Sequence, residues 1–204
     1  TELYCAFQSE MEFLRDFPYF HILSLGCGGC ADLMGLEYFM HQNNIEVPVS
    51  YFGIDINDKW SDIHAAIKMY TDANNIKLKI PFYKDVFLVF KERGIVETNI
   101  IVISYLISYL YNSGQIEQID ELVQLVVDKI IIKKGAGNKL LFVINDVNSN
   151  KRGRNYFKYF ENAIRRSGLK ITGCNFRFFD PGTLNEWQEI GEPYNIKYSV
   201  FRIP

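Results

Sequence analysis

The sequence predicts an α/β protein: an open sheet of seven strands with helices between the first six. Three observations carry this. Apolar, β-branched runs alternate with stretches of helical periodicity along the whole chain. One run, residues 99–105 (NIIVISY), holds a continuous β-branched stretch at Ile100, Ile101, Val102 and Ile103, as a strand buried on both faces requires. Residues 21–40 place a strand, Ile22-Leu23-Ser24-Leu25, directly before Gly26-Cys27-Gly28-Gly29, and follow it with apolar residues at Leu33, Met34, Leu36, Phe39 and Met40. A strand, a glycine turn and a helix in succession form the nucleotide-binding corner of an α/β sheet. Glycine permits positive φ and close approach of a ligand, and the helix N-terminus behind it offers unpaired N–H groups.

Composition sets the bounds. A chain of 204 residues, 48% apolar and 15% aromatic, suits one domain, 1–204, with a full core and argues against disorder. The net charge of −2 gives no global attraction to nucleic acid or membrane. No apolar run approaches the roughly 18–20 residues of a membrane span. Residues 1–20 carry acidic residues and no continuous apolar core, so no signal peptide is expected. The chain starts at Thr1 without methionine, which leaves room for an upstream segment. The four cysteines, Cys5, Cys27, Cys30 and Cys174, do not form a disulfide framework at this length, and a cytoplasmic setting is expected.

Taken in order, residues 1–20 carry Tyr4, Phe7, Phe13, Phe17, Tyr19 and Phe20. Helical spacing at Phe7, Met11 and Leu14 predicts a helix covering one edge of the sheet, ended near Phe17 by Pro18. Strands follow at 22–25, 47–54, 76–82 (interrupted by Pro81), 99–105, 139–145, 169–179 and 194–203. Helices are expected at 31–40, 60–70 (Ile63, Ala66, Ile67 and Tyr70 on one face), 87–92, 115–132 and 154–166, with Gly94, Gly135, Gly137 and Gly168 as stops. Residues 180–193 read as a long loop joining the last two strands.

The second strand ends in Asp55, 27 residues after Gly28, against the ~20 of a nucleotide-binding unit. A carboxylate there can accept both hydroxyls of a ribose. The competing role is a helix cap, for which Asn57, Asp58 and Ser61 are also placed.

Gly26-x-Gly28-x-x-Ala31 satisfies the dinucleotide fingerprint. LSLGCGG also resembles the first motif of class I S-adenosylmethionine (SAM) methyltransferases. It departs in two places: the third glycine of that pattern falls on Cys30, and Ile22, Leu23 and Ser24 stand where an acidic residue often precedes the glycines. The strand order from 20 to 204 is similar too, because that family ends its sheet with a strand-six to strand-seven hairpin. The resemblance implies a three-layer Rossmann-like fold, a mostly parallel sheet with its last strand antiparallel, and a core at 21–204 with residues 1–20 as a helix capping the cofactor pocket. It implies SAM as cofactor, held by Gly26, Cys27, Gly28 and Gly29, by Asp55 and Ile56 at the second strand tip, and by Asp85 and Val86, where the family places an aspartate on the adenine amino group. A nicotinamide-dependent oxidoreductase fits less well. No second domain is left for a substrate, and no Tyr-x-x-x-Lys pair occurs.

In the family the tip of strand four faces the reactive methyl group. Here it reads Ser104-Tyr105-Leu106-Ile107, without the Asn/Asp-Pro-Pro-Tyr/Phe of nucleobase amino-methyltransferases. Ser104 is a candidate hydrogen-bonding group to cofactor or substrate. Tyr105 and Tyr109 are candidates for an aromatic acceptor pocket or, equally, core aromatics. No cysteine stands at the tip of strand four or five for covalent pyrimidine chemistry.

Cys27-x-x-Cys30 reads as two small side chains beside a turn. A redox pair and half a zinc site are the other options, but the other cysteines and the three scattered histidines form no second close pair, so no metal is assigned. Residues 151–166 hold six basic residues against one acidic, interleaved with Tyr156, Phe157, Tyr159 and Phe160. That is a nucleic-acid footprint or a solvated face over a core stripe. The acceptor is accordingly expected to be a small molecule or RNA. The other reading is an inactive methyltransferase-like protein acting as a binding or regulatory partner.

Overall fold

The computed structural model describes residues 2–74, 76–79, 85–93, 97–131, 138–146, 154–179, 187–189 and 196–204. They form two compact units, residues 3–104 and, with Glu2, residues 105–204.

The first unit holds β1 (Phe20–Leu25), β2 (Val49–Ile54), β3 (Lys77–Lys79) and β4 (Ile100–Ser104), all parallel and ordered β3-β2-β1-β4. Parallel strands need long crossovers. Helices α3 (Ala31–Gln42), α4 (Ser61–Ala73) and α5 (Val86–Arg93) lie between them in the chain. Because β1 pairs with both β2 and β4, the strand order reverses beside β1. An open α/β sheet binds ligands at such a reversal, outside the carboxyl ends of its strands. Ile100, Ile101, Val102 and Ile103 are all buried, as their continuous apolar run requires.

The N-terminal helix is two pieces, α1 (Glu2–Ser9) and α2 (Met11–Leu14). α1 lies on α3, with the Tyr4 and Tyr38 rings 4.9 Å apart. Gly35 permits this approach, since a Cβ there would come within 2.9 Å of the Tyr4 backbone nitrogen. The expected apolar face of α4 is not the buried one. Ile63 and Tyr70 are exposed, and the buried stripe is His64, Ile67 and Thr71.

The second unit holds β5 (Leu140–Asn145), β6 (Gly173–Phe179), β7 (Trp187–Glu189) and β8 (Ile196–Ile203), ordered β5-β8-β6-β7 with every neighbouring pair antiparallel. β5 and β6 both oppose β8, so β8 is the expected antiparallel last strand between two strands of the other direction. The count of seven is corrected, because the stretch read as a loop contributes β7. Among the described residues the pairings given within the first unit are parallel and those within the second antiparallel, so the strands are mixed. Helix α6 (Leu106–Asn112) was not expected. The long helix is α7 (Ile116–Gln124), which widens into a π-helix over Leu125–Ile131. In α8 (Arg154–Arg166), Phe157, Phe160 and Ile164 are buried, and Phe142 of β5 packs on Phe160 and Phe201, each 5.4 Å away between ring centres. No helix among the described residues is long and apolar enough to cross a membrane. The expected break at Pro81 and the glycine stops at 94, 135 and 137 lie outside the described residues.

Candidate functional site at the glycine corner

Where β1 ends, Gly26 and Cys27 both donate their N–H groups to Ile54 O of β2, at 2.9 and 3.1 Å. The chain then turns through left-handed residues at Gly26 (φ 71), Gly28 (φ 50) and Cys30 (φ 56) before α3 begins. Cys30 stands where the family pattern has its third glycine, and it takes the conformation that glycine adopts without strain. Its N–H closes the turn on Cys27 O at 2.8 Å.

Gly28 is engaged on three sides. Its N–H donates to Asp55 Oδ2 at 2.8 Å, its carbonyl lies 2.6 Å from His64 Nε2, and a Cβ on it would meet the Trp60 indole at 3.7 Å. The space beside its Cα, expected to admit a ligand, is covered by Trp60. Asp55 Oδ1 accepts the Asn57 N–H at 2.8 Å. The helical turn Asp58–Trp60 is capped by Asn57, whose side chain accepts from the Lys59 N–H. Asp55 is thus a latch on the glycine corner, and Asn57 is the cap. Ile56, next along, is 55% exposed and offers an apolar face at the strand tip.

Beneath the corner, Cys27, Cys30 and His64 are all buried, and their ligand atoms lie within 4.8 Å of one another. A hydrogen bond with Cys30, and after it burial, holds the Cys27 thiol well above its usual pKa. Asp32, 2% exposed in the first turn of α3, accepts the Tyr51 hydroxyl at 2.8 Å. Burial raises the Asp32 carboxyl above its usual range, and the hydrogen bond from Tyr51 opposes that rise. His64, Asp32 and Trp60 had no functional role in the sequence reading. The sequence signal for His64 was its place with Ile67 and Thr71 in one stripe.

The remaining candidates are placed as follows. Asp85 Oδ1 accepts the Phe87 and Leu88 N–H groups at 2.8 and 3.3 Å and so caps α5, while Val86 is buried. Ser104 Oγ, at the tip of β4, is buried and has no hydrogen-bond partner. In the second unit, Tyr105 (48% exposed) and Tyr109 (52% exposed) are surface residues of the α6 segment, not core aromatics. Tyr105 is left-handed (φ 55). The N-terminus of α6 is held by buried Asp146, whose Oδ2 accepts from the Ile107 and Ser108 N–H groups at 3.0 and 3.1 Å. In α8 the aromatics at 157 and 160 form the core stripe, and Arg165 pairs with Glu161 at 2.9 Å. Lys151 and Arg152 lie outside the described residues.

No protein-family model matches the sequence, and no curated protein sequence matches it. Solved structures do match by fold. A SAM-dependent methyltransferase from Clostridium acetobutylicum aligns at TM-score 0.56 and 9% identity, over 99% of this chain and 90% of that one. SMU.776, assigned as a methyltransferase and crystallised with S-adenosylhomocysteine (SAH), aligns at TM-score 0.51 and 12% identity over 96% and 48%. The Pnkp1/Rnl/Hen1 RNA repair complex aligns at TM-score 0.51 and 17% identity over 96% and 41%. The chain thus spans most of the first and less than half of each of the other two. The fold is the Rossmann-like α/β fold of class I SAM-dependent methyltransferases.

Proposed function

We propose that this chain is a SAM-dependent methyltransferase, a single cytoplasmic catalytic domain acting on a small molecule or RNA. The observation that carries the reading is the Asp55–Gly28 contact. It joins an acidic strand tip to the glycine corner of the neighbouring strand, in the fold that class I methyltransferases share.

The residues present suit the cofactor. Each Asp55 oxygen already takes one backbone N–H and keeps a lone pair for a ribose hydroxyl. Exposed Ile56 supplies an apolar face for adenine, Val86 is a further cofactor-side candidate, and the second oxygen of Asp85 is the acceptor for the adenine amino group. The orphaned Ser104 hydroxyl is a buried donor seeking a partner at the tip of β4. Gly26, Cys27, Gly28 and Gly29 form the floor. Bound SAM supplies an electrophilic methyl on a sulfonium. The chain's own work is to hold acceptor and methyl in line and keep water out. A base is needed only where the acceptor must lose a proton. Tyr105 and Tyr109 are the proposed acceptor-side residues. Burial, above all, raises the Tyr105 phenol, so it serves as a hydrogen-bond donor and aromatic wall.

A second reading, a methyltransferase fold retained for binding alone, is favoured by the engagement of Gly28 on three sides by the protein itself. Thermal-shift titration with SAM, SAH and NAD separates the readings. A ligand at a hundredfold excess over Kd stabilises the fold by about 2.7 kcal/mol. Stabilisation by SAM and SAH, with methyl incorporation into a cell-extract fraction, is the expected result. Stabilisation without incorporation supports the binding protein. A response to NAD alone overturns both.

A further inference from the structure

We propose that Cys27, Cys30 and His64 bind one zinc ion, which ties the glycine corner to α4. Zinc takes thiolate sulfur and imidazole nitrogen in tetrahedral sites, with metal–ligand distances of about 2.3 and 2.0–2.1 Å. A tetrahedron of that size sets its donor atoms roughly 3.5–3.8 Å apart. The three donor atoms here lie within 4.8 Å of one another, so side-chain rotation of about an ångström gathers them. Thiolate and imidazole together select zinc over the hard cations magnesium and calcium, which want oxygen.

The surroundings are those of a ligand set. A metal-bound histidine characteristically donates its other ring N–H to a backbone carbonyl, which fixes ring and tautomer. Gly28 O can only accept, so the 2.6 Å contact makes His64 Nε2 a donor and holds the ring beside the two thiols by a backbone anchor of this kind. Cys27 and Cys30 are free thiols spaced as a metal-binding pair, on a turn closed by the Cys30 N–H on Cys27 O. Cys30 keeps a side chain at φ 56, a conformation in which glycine would carry no strain, and this fits a residue held there by its sulfur. On binding, each thiol gives its proton to solvent, and two thiolates balance the charge of the ion. The three protein donors leave a fourth position for water or an exogenous ligand.

The inference does not depend on the methyltransferase reading, since the ligand atoms lie in β1's turn and α4 whatever binds above them. The test uses the full chain, reduced, stripped with a chelator and titrated with cobalt(II). One equivalent should bind, with thiolate-to-cobalt charge-transfer absorption and intense tetrahedral d–d bands, and zinc should bleach both. Cys27→Ser and Cys30→Ser should each weaken uptake at least tenfold, and His64→Gln should lower the intensity of the d–d bands. If a variant fails to fold, the wild-type titration still decides. No charge-transfer absorption in the wild type overturns the proposal. So does absorption that survives both cysteine substitutions, or undiminished alkylation of Cys27 and Cys30 in the presence of zinc. SAM thermal shifts on the stripped chain report on the cofactor reading separately.

Discussion

Gly28 donates its N–H to Asp55 Oδ2 at 2.8 Å, so the glycine corner of β1 and the acidic tip of β2 are a single device. The carboxylate shapes the turn, and in the proposed cofactor site it also holds the ribose. Asp55→Ala should therefore do two things. Losing a charge-assisted acceptor for the Gly28 and Asn57 N–H groups should lower stability by about 1.5–3 kcal/mol. Losing the proposed ribose contact should weaken SAM binding roughly ten- to a hundredfold, at ~1.4 kcal/mol per decade. Urea unfolding and calorimetric titration on one variant measure both. A stability loss with unchanged SAM affinity would remove Asp55 from the cofactor site and leave it as a latch.

The two glycines of this region should respond differently to a methyl group. At Gly28 the new Cβ would stand 3.7 Å from Trp60, ordinary contact, so Gly28→Ala pays only for its left-handed backbone, about 1–2 kcal/mol. At Gly53 the Cβ would come within 2.7 Å of Tyr51 Cε1 and 3.0 Å of Cys27 Sγ, both on buried side chains. Overpacking of this kind costs about 1–3 kcal/mol and displaces its neighbours. Gly53→Ala should also disturb the cysteine cluster, whereas Gly28→Ala should not. Chemical denaturation, together with the cobalt spectrum, compares them. Equal effects on both readouts would contradict the packing argument.

Much of the first unit was legible because its strands are buried on both faces, and burial of that kind writes a continuous apolar run, as at 100–103 and 51–54. The glycine corner was legible for a similar local reason: a strand, a turn and a helix follow without a gap. Contacts between segments distant in sequence were not legible. His64 is 36 residues from Gly28, and only the register of β1 on β2 brings α4 beneath the corner. The helical stripe of His64, Ile67 and Thr71 was masked by the more apolar Ile63 and Tyr70, which are exposed. Helix α6 was hidden because Ser104–Tyr111 reads as an apolar run of either period. Its start depends on Asp146, which comes from the end of β5.

Asp32 gives a pH dependence whose sign follows from its burial. Its carboxyl is raised in the folded chain, so between the unfolded value, about 3.9, and the raised folded value the native state holds a proton that the unfolded state has lost. Stability should fall as pH rises through that window and level off above the folded pKa. Asp32→Asn keeps an acceptor for the Tyr51 hydroxyl and cannot ionise. It should flatten this part of the profile and narrow its stability gap to the wild type, or overtake it, towards neutral pH. Unfolding free energies across roughly pH 4 to 8 test this. A wild-type profile that rises through the window, or an Asp32→Asn profile parallel to it, would show that Asp32 is not the group responsible.

Tyr105 separates a functional side chain from a structural one. It follows the orphaned Ser104 at the tip of β4, is half exposed, and sits at φ 55 without glycine's freedom. A non-glycine residue held left-handed costs of order 1–3 kcal/mol, and such residues gather where function requires them. Its hydroxyl donates to Glu2 Oε2 at 3.3 Å, so removing the hydroxyl should remove a donor and not a base. Tyr105→Phe should then leave stability within about 0.5 kcal/mol, the range for surface substitutions, lower methyl transfer, and leave the pH profile unchanged. Tyr105→Gly should relieve the backbone strain and raise stability by up to about 1 kcal/mol while cutting transfer further, because the aromatic wall goes as well. Tyr109→Phe, on the same helix segment, is the companion measurement, expected to act on the acceptor KM and not on SAM affinity. If Tyr105→Gly gains stability and transfer proceeds undiminished, the strain at Tyr105 serves the start of α6 alone, and the acceptor must be held by other residues.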